Sequence, residues 1–171
     1  MPKTGTLHLI SGLPGAGKST YSVRLKEEHQ AAHLSLDWWL ITLFGRYSID
    51  VAGHVEHGRR VYACRDVMWS VASEFLRRGA DVILDDGFFR RADRARFIAA
   101  ARDLGAGAVI HFLDTPAQLL RERLATRNLA PADHQFEITQ ETLEVCIAVY
   151  EPPSQDEAAE IIAVRTSHQP S

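Results

Sequence analysis

Eight residues near the start of the chain, Gly12-Leu13-Pro14-Gly15-Ala16-Gly17-Lys18-Ser19, have the spacing G-x-x-x-x-G-K-S. They follow the apolar run 7–10 and precede a helix-compatible stretch, 20–28. Glycines let the backbone turn tightly, so that N–H groups at the start of a helix can reach a phosphate. With this spacing, Lys18 contacts the β- and γ-phosphates and the Ser19 hydroxyl holds Mg²⁺. The string therefore predicts a strand–loop–helix unit that binds a nucleoside triphosphate.

The residues expected to surround the phosphates are Gly12, Pro14, Gly15, Ala16, Gly17, Lys18, Ser19 and Thr20. A chain of 171 residues predicts a single domain, 1–171. The formal net charge of -3 gives no general attraction to nucleic acid or to an anionic membrane. No long apolar run precedes the loop, so we expect no signal peptide or membrane anchor, and a cytoplasmic protein.

Beyond the first unit, apolar runs alternate with amphipathic stretches. Further strands are expected at 33–36, 82–84, 108–113 and 161–164. Helices are expected at 38–44, at about 59–78, before Gly105, from Pro116 with Thr115 as its cap, and at 140–150. The pattern predicts an α/β fold with a five-stranded parallel sheet between helices, which binds ligands at the carboxyl ends of its strands.

Two histidines and two cysteines outside the expected strands are expected to have structural surroundings rather than chemical roles. The stretch 46–58 has loop character, so His54 and His57 are expected in a solvated loop rather than at a metal. Cys64 and Cys146 lie on apolar helical stripes, which predicts that both are small core residues rather than ligands or nucleophiles.

Carboxylates follow two of the expected strands. Asp85 and Asp86 come directly after the run 82–84, where sheets that bind triphosphates hold Mg²⁺, with Asp85 preferred for the metal. A simple strand-end turn is the alternative. Asp37 ends the second strand, and a carboxylate there can accept a proton from an attacking hydroxyl. It could equally cap the helix that begins at Trp38, and the residues alone leave both interpretations open.

Basic and aromatic residues supply further candidates. Arg123 and Arg127 share one helix face at the border of the polar segment 128–138, where a closing lid could bring their charge to a transferring phosphoryl group. Solvated helical charges are the alternative. Arg90 and Arg91 could meet an anionic substrate. The tryptophans that could wall an acceptor pocket, with core packing as the alternative, are Trp38, Trp39 and Trp69.

Five strings, spread from residue 12 to residue 157, follow one another in this order: GLPGAGKST, LSLDWWLITLFG, VILDDGFFRRADRARF, FLDTPAQLLRERLATRN and YEPPSQDE. In this order and spacing the chain resembles bacterial AAA-family ATPases, or P-loop predicted kinases. That group is related to zeta toxins, chloramphenicol phosphotransferase and the kinase domain of polynucleotide kinase-phosphatase. The resemblance implies a P-loop NTPase fold, with the three α/β/α layers of nucleoside monophosphate kinases.

The same resemblance implies roles for single residues. It makes Lys18 and Ser19 the phosphate and Mg²⁺ ligands, Asp37 the base, and Arg123 and Arg127 the arginines of the lid region; it also implies ATP as the nucleotide. One position departs from the pattern. Polynucleotide kinases have D-x-x-R where this chain has Asp37-Trp38-Trp39-Leu40. Because leucine stands in place of that arginine, a polynucleotide acceptor is disfavoured.

Together these observations predict an ATP- and Mg²⁺-dependent phosphotransferase that acts on a hydroxyl of a small molecule such as an antibiotic, a nucleoside or a sugar metabolite. Acceptor contacts are expected mainly from 38–78. The alternatives are a polynucleotide 5′-hydroxyl kinase, and an ATPase or nucleotide switch without an acceptor.

Overall fold

Five parallel strands form one sheet in the computed structural model, which describes residues 4–165. In chain order the strands are β1 (Thr6–Ser11), β2 (Ala32–Ser35), β3 (Val82–Gly87), β4 (Gly107–Asp114) and β5 (Glu160–Arg165). Their order in space is β2-β3-β1-β4-β5, and every neighbouring pair is parallel. The expected five-stranded parallel sheet is confirmed.

Seven helices connect the strands within the described residues. They are α1 (Lys18–His29), α2 (Leu36–Phe44), α3 (Ile49–Ala52), α4 (His54–Arg77), α5 (Arg91–Asp103), α6 (Ala117–Leu129) and α7 (Gln140–Val149). The central strand β1 is buried on both faces, since Leu7 and Leu9 on one face and His8 on the other are all inaccessible or nearly so. A strand with this burial requires a layer of helices on each side of the sheet. Across residues 4–165, no helix is both long and apolar enough to span a membrane.

The predicted loop 46–58 is wrong, because much of it is helical. The Ser48 hydroxyl accepts a hydrogen bond from the backbone N–H of Val51 and caps the short helix α3. After Gly53, whose φ of 85° turns the chain, α4 begins at His54 rather than at Arg59. Glu56 pairs with Arg59 and Arg60 at 2.8 Å, which stabilises this first turn.

The predicted position of Asp37 at the end of a strand is also wrong. β2 ends at Ser35, and Asp37 lies in the first turn of α2. The hydroxyl of Ser35 accepts a hydrogen bond from the backbone N–H of Trp38, so Ser35 is the cap of this helix. The interpretation of Asp37 as the helix cap is therefore rejected.

Helix α6 differs from the prediction at both ends. It begins at Ala117, one residue later than expected, with Pro116 at the capping position. It continues to Leu129, so the first two residues of the predicted lid 128–138 are helical. The side chain of Asn128 donates to the backbone oxygen of Ile138 at 2.7 Å and accepts from its N–H at 3.3 Å. This clamp fixes both ends of the segment between α6 and α7.

Candidate active site

A cavity of about 530 Å³ opens at the carboxyl ends of β1, β2 and β3. The glycine-rich loop and Arg123 and Arg127 of α6 form one side, and α2, α3 and α4 form the other. Phe136, Ile138 and residues of α7 close it from above. The parallel sheet therefore brings nearly all of the predicted site residues to one edge, where ligands bind in folds of this type.

The loop before α1 has a backbone shape that requires glycine. Gly15 and Gly17 have φ values of 83° and 90°, a conformation that other residues rarely adopt. A Cβ on Gly15 would come within 3.1 Å of the side chain of Leu124 on α6. The ammonium group of Lys18 donates to the backbone oxygen of Leu13 at 3.1 Å, which bends this side chain back over its own loop.

Six of the eight predicted phosphate-binding residues line the cavity: Pro14, Gly15, Gly17, Lys18, Ser19 and Thr20. Gly12 and Ala16 are buried and are not among the residues that line the cavity, so their contact with phosphate stays a prediction. The N–H of Gly12 donates to the backbone oxygen of Gly87 at 3.0 Å and ties the loop to β3. A side chain at Gly12 would press on Leu113 at 3.2 Å.

Charged groups of opposite sign share the floor of the cavity. Burial lowers the pKa of Lys18, while the carboxylates of Asp85 and Asp37 act in the opposite direction. Asp37 is an exposed residue that lines the cavity. Protein nevertheless surrounds most of its carboxyl, and the resulting desolvation raises the pKa of Asp37 to about 6. Lys18 opposes that rise, and Asp85 adds to it. The three groups therefore form one electrostatic unit.

The two aspartates at the end of β3 have different partners. Asp85 is 6% exposed, and one of its oxygens lies 3.3 Å from Nε2 of His33. Asp86 accepts two hydrogen bonds from the guanidinium of Arg65, at 2.6 and 2.7 Å. Because Arg65 neutralises Asp86, the geometry favours Asp85 and disfavours Asp86 as a metal ligand.

Arg65 is a residue that the sequence interpretation missed. Its guanidinium also donates to Asp93 at 2.9 Å, so it joins α4 to β3 and α5. Burial opposes its charge, but Asp86 and Asp93 raise the pKa of Arg65 above its ordinary value. Arg65 lies four residues after Val61 and three before Met68, on a stripe that faces the core. A charged residue on such a stripe is the sequence pattern that indicates a buried ion pair.

Both arginines of α6 face the cavity. Arg123 donates to the backbone oxygen of Gly15 at 3.4 Å, and Arg127 donates to that of Phe136 at 3.1 Å. The Nε atom of Arg127 is buried and has no hydrogen-bond partner among residues 4–165. Burial lowers the pKa of Arg127, and Asp37 acts against that change. A buried guanidinium with a free N–H fits an anionic ligand in the cavity.

The arginines after β3 separate. Arg90 lines the cavity, whereas Arg91 turns away and pairs with Asp156 at 2.9 Å. Arg91 is therefore corrected from a possible substrate contact to a surface ion pair. None of Trp38, Trp39 and Trp69 is among the residues that line the cavity. Trp38 is partly exposed at the surface, and Trp69 packs on Phe97.

Helices α2, α3 and α4 give the far side of the cavity an apolar surface with a few polar groups. Leu40, Ile49 and Val61 supply the apolar part. His57 is not in a solvated loop as predicted: its Nδ1 lies 2.8 Å from the hydroxyl of Tyr47. Burial, with the nearby His54 and Arg60, lowers the pKa of His57 and favours its neutral form.

The two cysteines also have different surroundings. Cys64 is buried in the core as predicted. Cys146 is only partly buried and lines the cavity, which corrects its assignment to the core. Burial raises the pKa of the Cys146 thiol to about 11, so it stays protonated near neutral pH.

A glycine-rich loop that leads into a helix at the edge of a parallel sheet defines the P-loop class of nucleotide-binding proteins. Within this class, the chain belongs to the AAA domain family, which matches residues 7–153.

Three known proteins illustrate the relationship. Uridylate kinase of Saccharomyces cerevisiae is 26% identical to this chain, in an alignment that covers 90% of this chain and 82% of that protein. A proposed kinase of Chloroflexus aurantiacus superposes with a TM-score of 0.74 at 18% identity, over 96% of this chain and 90% of its own. A gluconokinase of Sinorhizobium meliloti gives a TM-score of 0.64 at 16% identity, over 98% and 86%. The fold is that of P-loop kinases.

Proposed function

We propose that this protein is an ATP- and Mg²⁺-dependent kinase that transfers the γ-phosphate to a hydroxyl of a small molecule. The relative and the structural neighbours described above support an ATP-dependent kinase. The observation that carries the proposal further is the floor of the cavity, where Asp37, with a pKa raised to about 6, interacts electrostatically with Lys18 and Asp85.

The chain offers ligands that fit a magnesium–triphosphate complex. Ser19 and Asp85 supply oxygen atoms, the donors that Mg²⁺ prefers. Lys18, Arg123 and Arg127 supply positive charge around the loop, and the unpartnered Nε of Arg127 supports an anion at this place. Held by Ser19 and Asp85, Mg²⁺ would offset the negative charge that develops on the phosphates during transfer. Asp86, already paired with Arg65, would stabilise the site rather than bind the metal.

Asp37 is proposed as the residue that orients the acceptor hydroxyl and takes its proton. A base acts best when its pKa lies near the working pH, and desolvation has moved this carboxyl in that direction. Its exposure to the cavity leaves it accessible to a substrate, while the ion pair of Asp86 keeps that second carboxylate occupied. Lys18 and the two arginines of α6 would hold the phosphates in line with the hydroxyl.

A small acceptor is supported by the shape of the cavity. Its volume of about 530 Å³ lies in the range typical of small-molecule sites, roughly 300–1,000 Å³. Leu40, 1% exposed, packs in the core where a polynucleotide kinase has an arginine, so no guanidinium is available there to bind a nucleic-acid phosphate. Phe136 and Ile138 are buried against the cavity, and we propose that the exposed part of the segment 130–138 closes over the bound nucleotide.

The proposal is tested by incubating the protein with ATP, Mg²⁺ and one member at a time of a panel of hydroxylated acceptors. The panel contains nucleosides, nucleoside monophosphates, sugars, hydroxylated antibiotics and 5′-hydroxyl oligonucleotides. The expected result is ADP release that depends on one class of small acceptor, with a product heavier by one phosphoryl group in mass spectrometry. If the phosphate is transferred preferentially to the oligonucleotide, the protein is a polynucleotide kinase rather than a small-molecule kinase. If no acceptor changes the rate of ADP release, the protein is an ATPase.

A further inference from the structure

A second cluster of ionisable side chains lies at the opposite end of α1 from the phosphate loop. It consists of His8 on β1, His29 at the end of α1 and Asp81 just before β3. Lys18 and His29 are the first and last residues of a 12-residue helix, so roughly 16 Å of helix separates the two sites. No residue of this cluster lines the cavity described above.

We propose that His8, His29 and Asp81 form a binding site for a divalent transition-metal ion such as Zn²⁺. Nε2 of His8, Nδ1 of His29 and a carboxylate oxygen of Asp81 all lie within 4.8 Å of one another. The same oxygen of Asp81 is 3.8 Å from the His8 atom and 3.5 Å from the His29 atom. Ligand atoms around a tetrahedral Zn²⁺ are separated by roughly 3.3 Å, so small side-chain movements would complete the site.

The buried nitrogen of His8 is the observation that points most directly to a ligand. His8 is 3% exposed, and its Nε2 has no hydrogen-bond partner among residues 4–165. A buried polar atom without a partner is costly, and here it is directed toward the carboxylate of Asp81. A metal ion between them would give that nitrogen a partner.

A chain of hydrogen bonds behind His8 can hold it in the form that binds a metal. Its Nδ1 lies 2.9 Å from Nε2 of His111, and Nδ1 of His111 lies 2.7 Å from the hydroxyl of Tyr21. When His8 donates to His111 and His111 donates to Tyr21, the lone pair of His8 is on Nε2, facing Asp81. Ligating histidines commonly donate their other nitrogen in this way.

Charge and orientation around the cluster also fit a cation. The second oxygen of Asp81 accepts the backbone N–H of Thr6 at 2.7 Å, which fixes the carboxylate. His29 ends α1, where the partial negative charge of the helix favours a cation. Imidazole and carboxylate ligands together suit Zn²⁺ better than Mg²⁺.

The test is a melting-temperature titration of the chelator-treated full chain with Zn²⁺, with Mg²⁺ in a parallel arm. At a 100-fold excess over its dissociation constant, Zn²⁺ should raise the melting temperature of the wild type by about 5 °C or more, with one ion bound per chain by calorimetry. Mg²⁺ alone should have no comparable effect. The shift should be lost in His29→Gln and in Asp81→Asn and kept in His134→Gln, which alters an exposed histidine far from the cluster.

Three outcomes would overturn the proposal: no response of the wild type to Zn²⁺ on the order of 0.1 mM, a response that survives in either ligand variant, or a response that is also lost in His134→Gln. If Asp81→Asn does not fold, the site is tested instead with Co²⁺ as the probe, in the wild type and in His29→Gln. Intense d–d absorption of Co²⁺ in the wild type that disappears in His29→Gln supports the site. Weak absorption, as for hydrated octahedral Co²⁺, rejects it.

Discussion

The two sides of the cavity are built in different ways. The phosphate side comes mainly from one short stretch of the chain, 14–20, with Arg123 and Arg127 of α6 beside it. The acceptor side is assembled from residues far apart in the chain: Tyr47 and His57 pack against Phe136, and Asp50 accepts hydrogen bonds from Thr139 and Thr142. A backbone motif fixes the first side locally, whereas the second depends on tertiary packing.

The largest expected effect falls on the phosphate side, at Lys18. Lys18→Ala removes the central positive charge of the loop, and we expect turnover to fall by about 10³-fold, with weaker binding of ATP. The control is Lys26→Ala on the exposed face of the same helix, which should leave both quantities near wild type. Equal turnover of the Lys18 and Lys26 variants would mean that this loop does not bind the reacting phosphates.

Asp37 lies where the two sides meet, and Asp37→Asn should lower kcat by about 10²–10⁴-fold while ATP affinity stays near wild type. The exposed Asp103→Asn is the control. Since Asp37 must be deprotonated to act, wild-type kcat/KM should fall as the pH drops through about 6, and this inflection should be absent in the variant. A variant within about threefold of wild type would exclude Asp37 as the base.

The raised pKa of Asp37 also gives a stability prediction. The pKa of this carboxyl is 3.8 in the unfolded chain and about 6 in the folded protein. Between these two pH values the folded protein therefore binds more protons than the unfolded chain. As the pH rises through that window, ionisation of Asp37 destabilises the folded protein. Asp37→Asn should therefore melt at or above the wild-type temperature at pH 7.5, and this difference should vanish below pH 3.8. A lower melting temperature at pH 7.5 would mean that Asp37 is mainly structural.

Arg65 tests the framework of the acceptor side. Arg65→Met leaves the carboxylates of Asp86 and Asp93 without their buried partner, so the free energy of unfolding should fall by about 3–5 kcal/mol in urea titrations. Arg59→Met removes an exposed arginine of the same helix and should change it by no more than about 0.5 kcal/mol. Equal stability of the two variants would show that the ion pairs of Arg65 do not hold this side together.

The smallest expected effect concerns the segment between α6 and α7. Its residues 130–135, which are exposed or partly exposed, should be cleaved severalfold more slowly by limiting protease when a non-hydrolysable ATP analogue and Mg²⁺ are present, because closure would remove them from solvent. Mass spectrometry measures how much uncut chain remains and identifies the cleavage sites. Cleavage at the same rate with and without the analogue would show that the segment does not act as a lid.

Much of the fold was predictable because its patterns are local. The strand runs, the glycine that follows α4 and the loop before α1 are each encoded in a few neighbouring residues, and the sheet follows from their alternation. Helix α3 and the start of α4 were missed, because glycines and histidines in 46–58 are typical of loops. There the Ser48 cap and the Glu56 ion pairs support helix instead.

The candidate site divides in the same way. The loop residues and Asp85 were predicted from motif and position, and Asp85 and six of the eight loop residues line the cavity. Arg65, and the separation of the roles of Asp85 and Asp86, depend on a contact between residues 21 positions apart. The pKa of Asp37 depends on surroundings contributed by several elements. Local sequence patterns do not carry such information, because it arises only when the helices pack on the sheet.

The central claim is that the two sides of the cavity work together to move a phosphoryl group to a small acceptor. The most direct measurement follows γ-³²P-labelled ATP in the presence of the acceptor that most stimulates ADP release. We expect labelled acceptor to form in a one-to-one ratio with ADP, and Asp37→Asn to slow the formation of both products equally. Label found mainly as free inorganic phosphate, at a rate that the acceptor does not change, would contradict it.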